Sequence, residues 1–415
     1  MSGEVFARDE WARHGRIVPA CIVGIMLVAV HNYALGSMYK PLEQEFGWHR
    51  AEIAWAAALP SMAAVIMAPL VGVLLDRVGV RRLALVGVPA FCSCLASLSL
   101  AGPGIGSWIA LYFLLGVASM LIFPTIWTAA INARFNRNRG KALAITLSGT
   151  GITATLVPWL TTHFVATRGW RGAYVELAAI LFVIVYPPVV LLFARDEKRL
   201  REEARVLPGH SAPDRPLLAE LLAPRFLKLA GATMVFGLAV SALTGNAKPI
   251  LNSEGFGDET AAAIAGLVGI GSIAGRLLGG VLLDHFEARK VAAWSMVLPI
   301  TGVAILLLGQ GDRLGAGLAC VLIGLSAGTE YDACAYLAAR HFGMKRFGAL
   351  FGTIGGVLLL ANGIAPVLIH EVYDRTGNYN LALIAILPLL ALAAGLFLAL
   401  GPYPDEPAGE SGLAS

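Results

Sequence analysis

The chain is a succession of long apolar stretches separated by short polar ones. A helix needs about 20 apolar residues to cross the hydrocarbon core of a bilayer, and twelve such stretches follow one another. They lie at about 17–39, 52–75, 83–101, 107–132, 141–166, 173–194, 226–251, 261–283, 291–309, 314–339, 347–371 and 380–400. The pattern predicts an all-α membrane protein with twelve transmembrane helices, which we call the first to the twelfth span.

One longer polar segment separates six spans from the other six. Residues 195–224 are rich in charge and contain Pro208, Pro213 and Pro216, a composition that favours a loop. A short surface helix is expected near 217–222. We therefore predict an N-terminal six-helix bundle at 1–194, a cytoplasmic linker at 195–224 and a C-terminal six-helix bundle at 225–415.

Composition agrees with this pattern and excludes several classes of protein. Hydrophobic residues make up 57% of the chain and charged residues 14%, whereas soluble domains are about 25% charged. The basic residues form no clustered face, so nucleic-acid binding is not expected. The five cysteines lie in apolar stretches without paired metal-ligand spacing, which favours a packing role. The first sixteen residues include the charged Arg8, Asp9, Glu10, Arg13 and Arg16, and we predict no cleaved signal peptide.

The distribution of Arg and Lys predicts the orientation in the cell membrane. These residues crowd the amino terminus and alternate loops near 77–82, 134–141, 195–228, 289–290 and 340–346, whereas the intervening loops hold far fewer. Cytoplasmic loops carry the excess of positive charge in membrane proteins. Both termini are therefore expected on the cytoplasmic side.

The second half of the chain repeats the first. The pentapeptide Gly-Val-Leu-Leu-Asp at 72–76 returns at 280–284, and the same offset of 208 relates Pro158 to Pro366 and Gly169 to Gly377. An even number of spans per half gives both halves the same orientation, as in transporters with parallel repeats about an axis normal to the membrane. In that plan the substrate site lies near the midplane between the halves, and access alternates as one half rocks against the other.

A charged loop between the second and third spans identifies a family. The motif Gly72-x-x-x-Asp76-Arg77-x-Gly79-x-Arg81-Arg82 resembles the signature loop of the major facilitator superfamily. The resemblance implies a gating role, in which the charges hold helices together in one state and release them in the other. Alternatively, they only set the topology.

The second copy of this loop is degenerate. It keeps Asp284, Arg289 and Lys290 but has Glu287 where the first copy has Gly79. The acid that the superfamily often carries on the fourth helix is absent from 107–132. The gating network is therefore expected to differ, with Asn132 as a candidate partner.

Three further stretches narrow the resemblance. They are 33–48 in and after the first span, 275–280 around Arg276, and Glu330-Tyr331-Asp332 followed by 340–343. Together they resemble the monocarboxylate porter family and its bacterial relatives. The resemblance covers nearly the whole chain and implies transport of small organic acids.

Arg276 is the main candidate for substrate binding. It lies eight residues before Asp284, so about 12 Å inside the membrane from the cytoplasmic end of the eighth span. A charge at that depth is costly unless it faces protein or water, and function is the default hypothesis. In the resembled family an arginine here binds the substrate carboxylate, and Arg276 matches it. The alternative is a structural arginine permanently paired with an acid on the tenth span.

Coupling to protons must use other residues, because the acid that many family members carry one turn before this arginine is replaced by Ser272. Glu330 and Asp332 lie about 15 Å inside the tenth span and are our candidates; bracing of the 340–346 loop is the alternative role. His31 is a third candidate, since histidine titrates near neutral pH, although a backbone carbonyl could equally satisfy its ring.

Other residues complete the predicted site. Lys40, at the outer end of the first span, matches a family lysine thought to receive the anion. The alternative is a lysine that only reaches the membrane interface. Lys248, at the outer end of the seventh span, admits the same two interpretations. Polar and aromatic residues at expected cavity positions are Asn32, Tyr33, Trp127 and Tyr331. Packing is the alternative role for the aromatic ones.

The sequence therefore predicts a secondary active transporter that moves a small organic monocarboxylate by alternating access, with protons. Its expected partners are the organic anion, protons and the lipid bilayer, and it is expected to function as a monomer without cofactor or metal. Drug or amphipathic-compound efflux by the same fold is the alternative, but it leaves Arg276 unexplained. Enzyme motifs, among them the zinc-binding His-Glu-x-x-His and the nucleophile elbow, are absent from the sequence.

Overall fold

A computed structural model gives the fold. It describes residues 10–135, 138–193, 217–309, 311–342 and 347–401, with the backbone alone at 63–64, 66–70, 72–73, 76, 217–218, 339 and 347–349. Most of the predicted linker, at 195–216, lies outside the described residues. The described part is helical and contains no strand.

The helices of the first half follow the predicted spans closely. The first span is Ile17–Leu35, continued by Tyr39–Phe46; the second is Arg50–Val78; the third is Val80–Ser97 with a 3-10 turn at Leu98–Leu100; the fourth is Ile105–Met120 and Pro124–Asn132; the fifth and sixth occupy Arg139–Leu147 and Gly149–Leu192.

The second half begins with a short helix, Leu217–Leu221. The seventh span is Pro224–Thr244, continued by Ala247–Ser253; the eighth is Asp258–His285; the ninth is Ala288–Ser295 and Val297–Leu308; the tenth is Arg313–Phe342; the eleventh is Phe347–Thr376; the twelfth is Asn380–Leu398.

Ten stretches of the described residues are long and apolar enough to cross a membrane. One of them, Arg139–Leu192, covers the fifth and sixth predicted spans together. The two spans are separate helices within it, because the backbone leaves helical geometry at Gly169 (φ 69°, ψ 172°). The predicted second span corresponds to the 29-residue helix Arg50–Val78. These helices account for the twelve predicted spans.

The internal repeat is visible in the backbone. Five helices of the second half begin 208 residues after helices of the first: Ala247 after Tyr39, Asp258 after Arg50, Ala288 after Val80, Arg313 after Ile105 and Phe347 after Arg139. Left-handed glycines repeat at the same offset, at Gly47 and Gly255 and at Gly169 and Gly377. The duplication therefore governs where helices start and which turns need glycine.

Buried apolar side chains form two clusters. One runs from Ile17 to Phe193 and includes Val367, and the other runs from Phe226 to Leu400. Each half thus has its own packed interior. The domain boundaries at 194 and 224 remain a prediction.

Glycine lets helices of the two halves approach closely. A Cβ placed at Gly363, in the eleventh span, would lie 2.8 Å from the Ser61 side chain of the second. A Cβ at Gly266, in the eighth span, would lie 2.7 Å from the Thr155 carbonyl oxygen of the fifth. Small residues are the usual means of close helix packing in membranes.

We name the two ends of the molecule for what lies there. The terminal face is the end at which the first span begins and the twelfth ends. The opposite face carries the short helices Tyr39–Phe46 and Ala247–Ser253.

The closest packing within the second half joins the eighth and tenth spans. Glycines of each helix lie on the backbone of the other, at Gly271, Gly275, Gly324 and Gly328. A Cβ at Gly328 would meet the Ser272 carbonyl and lie 2.8 Å from the Arg276 nitrogen. This contact brings the turn that carries Arg276 against the tenth span.

Replacing Gly328 by alanine is expected to destabilise the protein by about 1 to 3 kcal/mol, because backbone rather than a mobile side chain occupies the space of the new methyl group. Thermal unfolding in detergent measures the change. Gly280→Ala is the matched control, since a Cβ at Gly280 meets nothing within 4 Å. Equal melting temperatures for the two variants would contradict this account of the interface.

Candidate functional site

A cavity of about 230 Å³ lies between the halves. The first, second, seventh, tenth and eleventh spans contribute to its wall. Its uncharged polar residues include Asn32, Tyr33, Ser241, Thr244, Asn246 and Asn362. Apolar and aromatic side chains form most of the rest, as is typical of small-molecule sites.

Glu330 is the single Asp, Glu, Lys, Arg or His among the described residues that line this cavity. It is 1% exposed, and neither carboxyl oxygen has a hydrogen-bond partner in the described part of the chain. Such an isolated acid is rare in protein interiors, because a buried polar group without a partner is costly. Its neighbour Tyr331 also lines the cavity and packs edge-on against Phe351, with ring centroids 5.5 Å apart.

Arg276 is buried, with 8% of its side chain exposed. Its Nη1 donates to Asp332 Oδ1 at 3.3 Å, and this ion pair joins the eighth and tenth spans. The Asp332 side chain is 28% exposed. No second hydrogen bond of the guanidinium occurs within the described residues, so most of its donors remain for another acceptor.

Arg276 is not among the described residues that line the cavity, although it was predicted to bind substrate. Its partner Asp332 is likewise not among the described lining residues, although the neighbouring Glu330 and Tyr331 are. The sequence placed Glu330 and Asp332 on different helix faces, and the structure assigns those faces: Glu330 faces the cavity and Asp332 faces Arg276.

Two other predicted cavity residues, Trp127 and His31, lie inside the first half. The Trp127 indole is fully buried over Gly24 and donates to the Ile122 carbonyl oxygen at 2.9 Å. His31 lies beside Phe91, with ring centroids 6.3 Å apart, and its Nδ1 has no partner among the described residues. Asn32 and Tyr33, by contrast, line the cavity.

Lys40 lies at the opposite face and is 61% exposed. It pairs with Asp258 of the second half at 3.3 Å, and Lys248 approaches the same carboxylate at 3.5 Å. Two lysines related by the repeat thus share one acid across the junction of the halves.

The predicted gating loop is partly described. Gly79 has φ +89° and separates the second helix from the third, which explains the glycine in the motif. Arg77 and Arg82 are exposed and Arg81 is half-buried. For Gly72 and Asp76 the structure describes the backbone alone.

The second copy of the loop has a different turn. Glu287 replaces the glycine, adopts φ −61° and accepts hydrogen bonds from Arg289 at 2.8 Å and Lys290 at 3.2 Å. Asp284 is exposed. Asn132, the proposed substitute for the missing acid, accepts from Arg139 Nε at 2.7 Å.

A polar contact that joins the halves at the opposite face was not predicted from the sequence. The Asp374 carboxylate accepts from the backbone nitrogens of Arg50 and Ala51, at 3.3 and 2.8 Å. It therefore caps the second span from the other half of the protein. A charge-bearing residue at each helix end was visible in the sequence, but the pairing across 324 positions depends on tertiary structure.

Comparison with known proteins identifies the family. A family model described as Major Facilitator Superfamily matches residues 21–366. Human (Homo sapiens) monocarboxylate transporter 11 is 25% identical over 370 residues, which cover 84% of this chain and 74% of that protein. A gallate transporter of Pseudomonas putida is 25% identical over 401 residues, with coverage of 85% and 87%.

A solved structure shows the same fold. A mutant of the nucleoside transporter NupG superposes with a TM-score of 0.71 at 13% identity, covering 93% of this chain and 99% of that one. The fold predicted from the apolar pattern and the signature loop is confirmed. The chain belongs to the major facilitator superfamily and is a multi-pass membrane transporter, not an enzyme.

Proposed function

We propose that this transporter carries a small organic monocarboxylate together with a proton, by alternating access. The observation that carries the proposal is a pair of buried charged sites at neighbouring positions of the tenth span. One is a buried arginine with a single carboxylate partner, and the other is a buried acid without any partner among the described residues.

Arg276 is the proposed ligand of the substrate anion. A buried guanidinium is stabilised by a carboxylate in the same way whether that carboxylate belongs to Asp332 or to a substrate. The bond to Asp332 uses one of its donors at 3.3 Å, which leaves room for two-point contact with a second carboxylate. Asp332 is two residues from Glu330 of the cavity wall, so the ion pair lies beside the cavity in the tenth span.

Glu330 is the proposed proton carrier. A carboxylate without a partner at 1% exposure is costly as an anion, so its charge state strongly affects the energy of the carrier. Asp332 is already bound to Arg276 and serves to neutralise it when no substrate is present. The two acids, which the sequence could not distinguish, are thus assigned different roles.

Alternation of access is proposed on the basis of contacts at one end of the molecule. At the opposite face the halves meet through Lys40 with Asp258 and Arg50 with Asp374. On the terminal side, Gly352 and Gly355 have nothing within 4 Å of a Cβ position. We infer a state closed at the opposite face, with 1–194 and 225–415 as the moving bodies and the terminal face in the cytoplasm.

The relatives support the substrate class. One is named a monocarboxylate transporter and another a gallate transporter, and gallate is an aromatic monocarboxylate. Tyr33 and Tyr331 in the cavity wall suit an aromatic or apolar acid.

One observation favours a second candidate function. No described Arg, Lys or His lines the cavity, which would suit the efflux of an uncharged amphipathic compound. That function gives Arg276 no role beyond packing.

Radiolabelled counterflow in proteoliposomes distinguishes the two functions. We expect exchange of small monocarboxylates, and uptake against a concentration gradient when the outside is acidic. Extrusion of amphipathic drugs with no monocarboxylate exchange would establish the second function instead.

Arg276→Lys is expected to lower monocarboxylate exchange about 10-fold or more, because lysine keeps the charge but not the two-point geometry. The matched control is Arg375→Lys, since Arg375 forms an exposed ion pair with Glu371 away from the cavity. Initial rates of exchange measure the effect. Unchanged rates for Arg276→Lys would remove Arg276 from the site.

Glu330→Gln is expected to abolish proton-driven accumulation while exchange of substrate for substrate continues, because glutamine cannot take up a proton. Accumulation and exchange are measured in the same vesicles. Glu371→Gln, which changes an exposed acid, is the control. If Glu330→Gln still concentrates substrate under a proton gradient, the proton is carried elsewhere.

A further inference from the structure

A polar network at the opposite face runs from one half of the protein to the other. Arg50, from the first half, donates to both Glu43 oxygens at 2.8 and 3.0 Å and lies 3.9 Å above the Tyr373 ring. Its Nη1 donates to the Tyr379 hydroxyl at 2.9 Å. Together with the Asp374 cap, these bonds hold the second span against the eleventh and twelfth.

The network continues inward through a buried histidine. The Tyr379 hydroxyl lies 3.0 Å from His370 Nδ1, and His370 Nε2 lies 2.9 Å from Asn246 Oδ1. Asn246 donates in turn to the Ala242 carbonyl oxygen at 3.0 Å. His370 is 0% exposed and Asn246 lines the cavity, so the chain of bonds links the cavity wall to the contact between the halves.

The direction of these bonds fixes the form of His370. Arginine can only donate, so the Tyr379 oxygen accepts from Arg50 and its own hydrogen is free to point at Nδ1. The Asn246 oxygen can only accept, so Nε2 carries the ring hydrogen. Neutral His370 with its hydrogen on Nε2 therefore satisfies every member of the chain.

A second ring hydrogen would break this arrangement. With hydrogen on Nδ1, Tyr379 would have to accept from Arg50 and His370 together, and its own hydrogen would lose its acceptor. The imidazolium would also add a positive charge to a buried cluster that already contains Arg50. The other groups near the ring are Tyr39, tilted against it with ring centroids 4.0 Å apart, and Glu43, Tyr373 and Asp374, which contact Arg50.

We propose that His370 is a proton-binding site, and that the opposite face closes over neutral His370 and opens when His370 binds a proton. On opening, Asp374 leaves the end of the second span. It lies four residues after His370 on the same helix, where it can pair with the imidazolium. Asp374 thus has one partner in each state, the helix end when closed and the protonated ring when open.

This inference rests on the proposed alternation of access but not on the identity of the substrate. A proton taken up from the opposite side keeps that side open, and closure requires its release. Because Asn246 shares the chain, the charge of His370 also changes the hydrogen bonding of the cavity wall. A proton site here would be separate from Glu330.

Distances between spin labels test the proposal without any substrate. Labels are attached to cysteines at Ala166 and Leu314, exposed residues of the two halves at the opposite face, in a chain whose five native cysteines are replaced by alanine. Pulsed electron paramagnetic resonance then gives the distance distribution of the full-length protein in nanodiscs between about pH 8 and about pH 5, where histidine titrates.

We expect acidification to increase the population with the longer distance at least about threefold. His370→Gln should keep the shorter distance throughout, because glutamine can replace both hydrogen bonds but binds no proton. His163→Gln, an exposed histidine at the same face, should behave like the parent protein. A parent protein without a pH-dependent shift, or an equal shift in His370→Gln, would overturn the proposal.

Tyr379→Phe provides an independent test if His370→Gln folds poorly. This variant keeps the ring against Tyr373 but removes the hydroxyl that ties His370 to Arg50. The longer distance should then appear at a higher pH than in the parent protein. An unchanged pH dependence would show that His370 does not control this face. If the protein transports no monocarboxylate but the distance shifts occur, the proposed substrate class is wrong and the proton-binding role of His370 stands.

Discussion

A guanidinium inside a membrane has to be neutralised, and the second half of this protein is arranged around that requirement. Arg276 reaches Asp332 because the eighth and tenth spans meet backbone to backbone through glycines. Larger side chains at these positions would separate the helices and leave the buried guanidinium without its carboxylate partner, which costs several kcal/mol. The same close contact places Glu330 and Tyr331, the immediate neighbours of Asp332, at the cavity.

The two halves share a backbone plan but differ in their charged site residues. Helix starts and left-handed glycines repeat at an offset of 208, so the two halves share a backbone plan. The residue 208 positions before Arg276 is Ala68, and the cavity wall has its acid in the second half alone among the described residues. Duplication supplied the frame, and divergence of a few residues supplied the chemistry.

The junction at the opposite face uses residues related by the repeat in unequal ways. Lys40 and Lys248 are equivalent, and both approach Asp258; Arg50 is the equivalent of Asp258, and its helix end is capped by Asp374. The helix that starts at Arg50 therefore meets a carboxylate, that of Asp374. The equivalent helix, which starts at Asp258, meets the ammonium groups of Lys40 and Lys248. Such contacts between charged groups and helix ends can form and separate as units, which suits a face that has to open.

The sequence by itself determined the fold, because twelve apolar stretches of membrane-spanning length, a charge-biased loop pattern and a repeat at a constant offset leave few alternatives. It also singled out Arg276, Glu330 and Asp332 as candidate site residues, since charges in apolar spans are rare. Only the tertiary structure decided which acid faces Arg276 and which faces the cavity. It also decided that Trp127 and His31 pack inside the first half and not at the cavity, and that Asp374 caps the helix of Arg50. Helical periodicity assigns residues to faces of a helix, but the partner of each face depends on how helices distant in sequence pack.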